Sequence, residues 1–125
     1  MRADLAGGAG GGRFRRRARS RRVEVADRSM APTLRPGDRL LVDVEAYRDA
    51  SPRVGDVVIV ADPEHRVRWL VKRVRSVDPA ERTVEVRGDA ADVARDSRRF
   101  GPVAFDAIAG RAVRVYLPLD RRREL

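Results

Sequence analysis

The chain contains no cysteine and a single histidine, His65, in 125 residues. Without thiols there is neither a disulfide framework nor a thiolate ligand. One histidine does not make a zinc cluster, so no metal or other cofactor is expected. Aromatic residues make up 5% of the chain. Phe14, Tyr47, Trp69, Phe100, Phe105 and Tyr116 are scattered, with none clustered on one predicted strand, which argues against a base-stacking surface and hence against nucleic acid as the partner. Long apolar runs are missing too. The longest, "VVIVA" at 57–61, is far short of the roughly 20 residues that cross a bilayer, and no apolar core follows the basic N-terminus to make a secretory leader. The expectation is a cytoplasmic protein without a membrane anchor.

What the chain has in excess is arginine. Net charge is +9, and residues 1–22 alone hold eight arginines against Asp4. The basic character is therefore an "AGGAGGGRFRRRARSRR" arm and not a face of the folded part. A Gly/Arg-rich composition of this kind is expected to be a disordered arm, open to salt-dependent contact with acidic partners. The remainder is long enough for one domain and too short for two. Hydrophobic residues at 42% support a core, and charged residues at 38% keep it small. The expected organisation is an arm at 1–22, a domain at 23–118 and a basic tail at 119–125.

Valine-rich segments punctuated by Pro, Gly and Asp predict strands. They are "VEVAD" at 23–27, "RLLVDVEA" at 39–46, "GDVVIVAD" at 55–62, "RVRWLVKRVRSV" at 66–77, "RTVEVRGD" at 82–89 and "GRAVRVYLP" at 110–118. Asp78-Pro79 reads as a hairpin turn, Pro36-Gly37 as a type II turn, and "VAFDAIA" at 103–109 as a short helix. The fold class is all-β, a single small domain of coiled, antiparallel, barrel-like sheets.

Two residues carry candidate chemistry. Ser29 lies in "RSMAPTLRPGDR" at 28–39, where Pro32 and Pro36 steer Ala31 and Arg35 out of the helical basin. A serine in so constrained a loop is a helix cap, a turn residue or a rigidly held nucleophile. Lys72 is the only lysine among 28 basic residues. Arginine does not give up its proton, whereas a lysine can be brought toward neutrality by burial. Period-two alternation puts Lys72 on one face with Leu70 and Val74, while Val71 and Arg73 point the other way. An amine on an apolar face is either a desolvated general base or a side chain that lies along the sheet and reaches water. A serine and a desolvated lysine together form a possible Ser-Lys dyad. There is no G-x-S-x-G elbow and no S-x-x-K spacing around Ser29, and His65 in "DPEHRVR" reads as a loop residue.

The stretches around these two residues resemble the signal peptidase I family of serine-lysine proteases. "SMAPTLRPGD" is similar to the family's nucleophile box, "GDVVIV" followed by "VKRV" to its lysine box, and "GDAADVARDSRRFGPV" to its third box, in that order. The resemblance implies Ser29 as nucleophile, Lys72 as general base, and Asp96, Arg98 and Asp89 as supporting residues. It also implies a largely β fold and a substrate cleft lined by Met30 and Pro32. Within the family, "DSRRFGPV" and the short length resemble the proteases that mature nickel-type superoxide dismutase in bacteria. A precursor protein carrying a leader peptide is therefore the expected partner. Three positions depart from the pattern. Ala90 stands where relatives have asparagine, and Ala94 where many have a serine that bonds the lysine. Asp27 stands where relatives carry a glycine or a hydroxyl residue that helps form the oxyanion hole. The main-chain N–H of Ser29 is expected to remain available as a donor.

Two other readings fit parts of the chain. A self-cleaving domain similar to the LexA-type repressors shares the "SM.P" and "GD" punctuation, with Ala6-Gly7 or Ala9-Gly10 as bonds to cut. A non-catalytic β-barrel module with a basic arm would leave Ser29 and Lys72 structural.

Overall fold

A computed structural model of the chain describes residues 19–65 and 67–125. The expected arm lies almost wholly outside these residues, including both bonds that a self-cleaving protein would cut. The described chain forms β1 (Ser20–Glu24), β2 (Arg39–Asp43), β3 (Val57–Ala61), β4 (Trp69–Asp78), β5 (Thr83–Arg87), β6 (Val103–Ala104), β7 (Ile108–Leu117) and β8 (Arg123–Glu124). One four-residue helix, α1, spans Ser97–Phe100.

The strands make one antiparallel sheet in the order β1-β2-β7-β3-β4-β5-β6, with β8 added to β7. β7 is long enough to take β2 along one edge and two strands along the other. β3 pairs with it from Ile108 to Arg111, and β8 pairs at Arg114 and Val115. Register slips occur in the β2–β7, β3–β7 and β4–β5 pairs. Such bulges add twist, and an eight-stranded sheet that twists this much coils instead of lying flat.

Coiling gives the sheet two cores, and β3 divides them. Val57 and Ile59 join Val23, Val25, Met30, Leu34, Leu40, Val42, Ala112 and Val115 on one side. Val58 and Val60 join Leu70, Val74, Val84, Val86 and Val103 on the other. A strand buried on both faces must be apolar at every position, which explains "VVIV" as a continuous run where its neighbours alternate.

The expected strands all form, within a few residues at their ends, and the Asp78-Pro79 hairpin joins β4 to β5. Pro36-Gly37 makes its turn, with Gly37 at φ 94° and the Asp38 N–H donating to the Arg35 carbonyl at 3.0 Å. The helix expected at 103–109 does not form. Val103 is drawn onto β5 opposite Val84, Phe105–Ala107 makes a single 3-10 turn, and Ile108 already belongs to β7. So short a segment gains more from sheet pairing and burial of Val103 than from one helical turn. The folded part also runs past both expected boundaries. Ser20–Arg22 belong to β1, and residues 119–125 contribute a 3-10 turn and β8. Among the described residues no helix is long and apolar enough to cross a membrane.

Candidate active site

Lys72 occupies the inward position on β4 that alternation predicts. It is 2% exposed, between Leu70 and Val74 and directly opposite Val58 of β3. Among the described residues its amine makes no hydrogen bond. Burial pushes its pKa below the ordinary lysine value, opposed by the charges of Asp27, Asp96 and Asp62 and reinforced by the cation of Arg95. A lysine so placed is not the snorkelling side chain of an open sheet.

Ser29 sits on the loop between β1 and β2 and is 8% exposed. The loop is fastened at several points. Thr33 donates its hydroxyl to Asp89 Oδ2 at 2.7 Å, and Asp89 is in turn gripped by Arg73, the residue after the lysine, through Nε and Nη2 at 2.9 Å each. Arg123 donates to the Thr33 carbonyl. Asp38 closes the loop at its far end, buried and accepting two bonds from Arg121 at 2.7 and 2.8 Å. Arg121 and the Arg35 N–H hold the Asp38 carboxyl below its ordinary pKa, against the effect of burial.

The third box meets the serine directly. The Ala90 N–H donates to the Ser29 carbonyl at 2.9 Å. A Cβ on Gly88 would stand 2.5 Å from that carbonyl oxygen and 2.5 Å from the Ala94 methyl, so only glycine fits here. The contact made by position 90 is thus a main-chain one, which alanine makes as well as any residue. Ala94 packs its methyl against Gly88 and brings no hydroxyl toward Lys72.

Behind these contacts lies a buried charge network. Asp96 caps α1, accepts from the Gly88 N–H at 3.0 Å and is forked by Arg98 at 2.8 and 3.0 Å. Burial alone would raise its pKa; the Arg98 side chain and the two N–H groups overcome this and hold it at about 2. Asp62, equally buried, is paired by Arg95, which also holds it at about 2. Arg95 is further bonded to Glu64 at 2.7 Å. The Asp62–Arg95 pair went unrecognised in the sequence because 33 positions separate its members and neither belongs to a motif.

Two expected placements differ. Met30, expected to line a cleft, is 1% exposed and packs in the core with Leu34 and Leu40. Its flexible apolar side chain fills the space under the loop. Pro32 lines a cavity of about 480 Å³ with Thr33 and residues 120–123, a lining that includes neither Ser29 nor Lys72.

The third difference concerns Asp27. The Ser29 N–H, expected to be free, donates to Asp27 Oδ1 at 2.9 Å. Burial raises the Asp27 pKa, but the N–H and hydroxyl of Ser29, together with the charges of Lys72 and Arg68, bring it below the ordinary carboxylate value. Asp27 is therefore bonded to the serine and electrostatically coupled to the lysine. Among the described residues no group of His, Asp and Glu is arranged to hold a metal ion. The site thus holds a buried amine of lowered pKa and a serine fixed through its backbone, both coupled to Asp27.

A profile of the family described as "Signal peptidase, peptidase S26" matches residues 14–81, which include both Ser29 and Lys72. The mitochondrial ATP-independent inner membrane protease subunit 1b of Arabidopsis thaliana is 35% identical over 106 residues, 68% of this chain and 63% of the relative. Subunit 1a from the same plant is 31% identical over 112 residues, covering 72% and 67% of the two chains. The mitochondrial inner membrane protease subunit 2 of Schizosaccharomyces pombe (strain 972 / ATCC 24843) is 28% identical over 116 residues, 78% of this chain and 64% of the relative. The chain thus matches about two thirds of the length of these curated relatives.

Proposed function

Because the chain belongs to the signal peptidase family, peptidase S26, we propose that it is a serine endopeptidase that removes an N-terminal leader from a precursor protein, with Ser29 as nucleophile and Lys72 as general base. The observation that carries this reading is the buried Lys72 amine, free of hydrogen bonds among the described residues and coupled through Asp27 to the loop that holds Ser29. Burial favours the neutral amine, the form that accepts a proton. In the proposed reaction Lys72 takes the Ser29 hydroxyl proton as the oxygen attacks the scissile carbonyl. The protonated lysine returns that proton to the departing amine, and water then hydrolyses the acyl-enzyme by the same relay. The Asp96–Arg98 pair acts through the Gly88 main chain, which it fixes against Ser29.

The narrower part of the proposal is that the precursor is a nickel-type superoxide dismutase and that processing takes place in the cytoplasm. It is supported by the resemblance of "DSRRFGPV" at 96–103. A second reading, favoured by the relatives' names, is a subunit of a membrane protease.

The test is intact mass spectrometry of a nickel superoxide dismutase precursor incubated with the wild type, Ser29→Ala or Lys72→Arg. A membrane-anchored precursor with an N-terminal leader serves as the parallel substrate. Loss of a defined leader with the wild type alone is the expected result. Lys72→Arg is the sharper control because it keeps the charge and forbids deprotonation. Cleavage of only the membrane precursor would replace the dismutase assignment, and cleavage by Ser29→Ala would overturn the dyad.

A further inference from the structure

Attack by Ser29 drives negative charge onto the substrate's carbonyl oxygen, and catalysis needs a fixed donor where that charge develops. The nucleophile's own main-chain N–H is the donor the loop brings, and here it is taken by Asp27 Oδ1 at 2.9 Å. Two further observations decide which partner has to move. Ser29 is pinned on both sides. The Arg28 carbonyl, in the same peptide unit as the Ser29 N–H, accepts from the Ala31 N–H at 3.0 Å. The Ser29 carbonyl accepts from the Ala90 N–H at 2.9 Å and is backed by Gly88, where even a methyl would collide. Ser29 is buried, whereas Asp27 is exposed to solvent. The peptide cannot turn its N–H elsewhere, but the carboxylate reaches in from water and can withdraw to it without leaving a charge stranded in the interior.

We propose that Asp27 is a latch on the nucleophile: in the resting protein its carboxylate fills the position of the reaction's oxyanion, and the substrate carbonyl has to displace it before Ser29 can react. This rests on Ser29 being the nucleophile. It makes position 27 a determinant of the reaction in the opposite sense to a donor. A hydroxyl residue there would add a bond to the transition state, whereas the aspartate withholds one until substrate arrives. A carboxylate that failed to leave would repel the developing charge, so displacement is obligatory and its cost falls on every turnover.

The test uses the full chain and a peptide boronic acid ending in alanine, whose boron becomes tetrahedral and negatively charged on bonding a serine oxygen. Boron-11 NMR reads that geometry directly, and titration gives the affinity. Wild type, Asp27→Gly and Asp27→Asn are compared, with Ser29→Ala as baseline and Tm as a check on folding. The expected result is a tetrahedral adduct with affinity raised about tenfold or more in Asp27→Gly. Asp27→Asn, which keeps an acceptor without the charge, falls between. A tetrahedral adduct of equal or weaker affinity in Asp27→Gly would remove the latch and leave the nucleophile standing. No tetrahedral boron in any of the three would remove both.

Discussion

Lys72 stands on a strand between Leu70 and Val74 and opposite Val58, and its neighbours in the sheet are apolar. Ser29 stands on a loop fixed by polar ties to residues as far away as Asp89, Ala90, Arg121 and Arg123. The difference follows from what each group requires. A base of lowered pKa needs a dry, unpaired environment, which a β-strand supplies through alternation alone. A nucleophile needs one main-chain conformation with its N–H and hydroxyl presented to substrate. A loop acquires that rigidity only by satisfying its backbone groups elsewhere.

The loop side is therefore the easier to break by a small change. Outside the two candidate catalytic residues, Gly88→Ala is expected to have the largest effect, because the added methyl meets a backbone oxygen and another methyl at 2.5 Å, neither of which is a flexible side-chain end. The Ser29 peptide must shift, and a displacement of about 1 Å at a reacting group costs roughly 100-fold in rate. Steady-state cleavage and thermal unfolding measured together check this. A rate within twofold of wild type would show that the close contact does not hold the serine.

This contrast also explains how much of the molecule was legible in the sequence. Alternation around Leu70, Lys72 and Val74 gave the inward lysine, and "VVIV" marked the strand buried on both faces. Pro36-Gly37 and Asp78-Pro79 marked turns that form. These are local patterns with a period or a required backbone geometry. The loop's ties have neither. Arg121 lies 83 positions from Asp38, and Asp89 lies 56 from Thr33. A chain with 28 basic residues offers no means of choosing the right arginine by inspection. The helix expected at 103–109 fails for a related reason, since the pairing of Val103 with Val84 is decided by the neighbouring strand. Asp27 is the exception. An aspartate two residues ahead of a serine commonly accepts that residue's N–H, so the bond occupying the donor was readable from local chemistry.

A change of intermediate size sharpens the comparison by cutting ties without crowding the site. Asp89→Ala removes the acceptor for both Thr33 and Arg73. These bonds hold the Asp89 pKa below its ordinary value, with Arg73 the largest cause. Since the pair is partly exposed and screened by solvent, a stability loss of about 1 kcal/mol is expected, the upper end for exposed ion pairs. Activity should fall about tenfold through loosening of the loop. Asp89→Asn, which keeps an acceptor for Thr33, should recover part of the rate. Denaturant titration and cleavage assays on the two variants separate the contributions. Equal rates in Asp89→Ala and wild type would mean that the loop is held by its other fastenings alone.

In stability, the strand side gives the smallest expected effect and one of opposite sign. Lys72 is buried with its pKa lowered by desolvation, partly offset by Asp27, Asp96 and Asp62 and aided by Arg95. The folded protein thus releases this proton at lower pH than the unfolded chain does. Between the folded and unfolded pKa values the unfolded state binds more protons, so stability rises with pH across that window and the penalty is complete below it. Lys72→Met removes the penalty while keeping an apolar side chain of similar length on β4. The variant should lose cleavage and yet be more stable than wild type at neutral pH, with the difference in Tm shrinking as pH climbs toward the ordinary lysine value. Thermal unfolding of both proteins across that range is the measurement. A less stable Lys72→Met at neutral pH would show that the amine is held by favourable contacts, which would make it part of the structure's support in the way Asp38 and Asp96 are. A more stable one shows a lysine kept at the expense of the fold, which is what separates a base from a fastening.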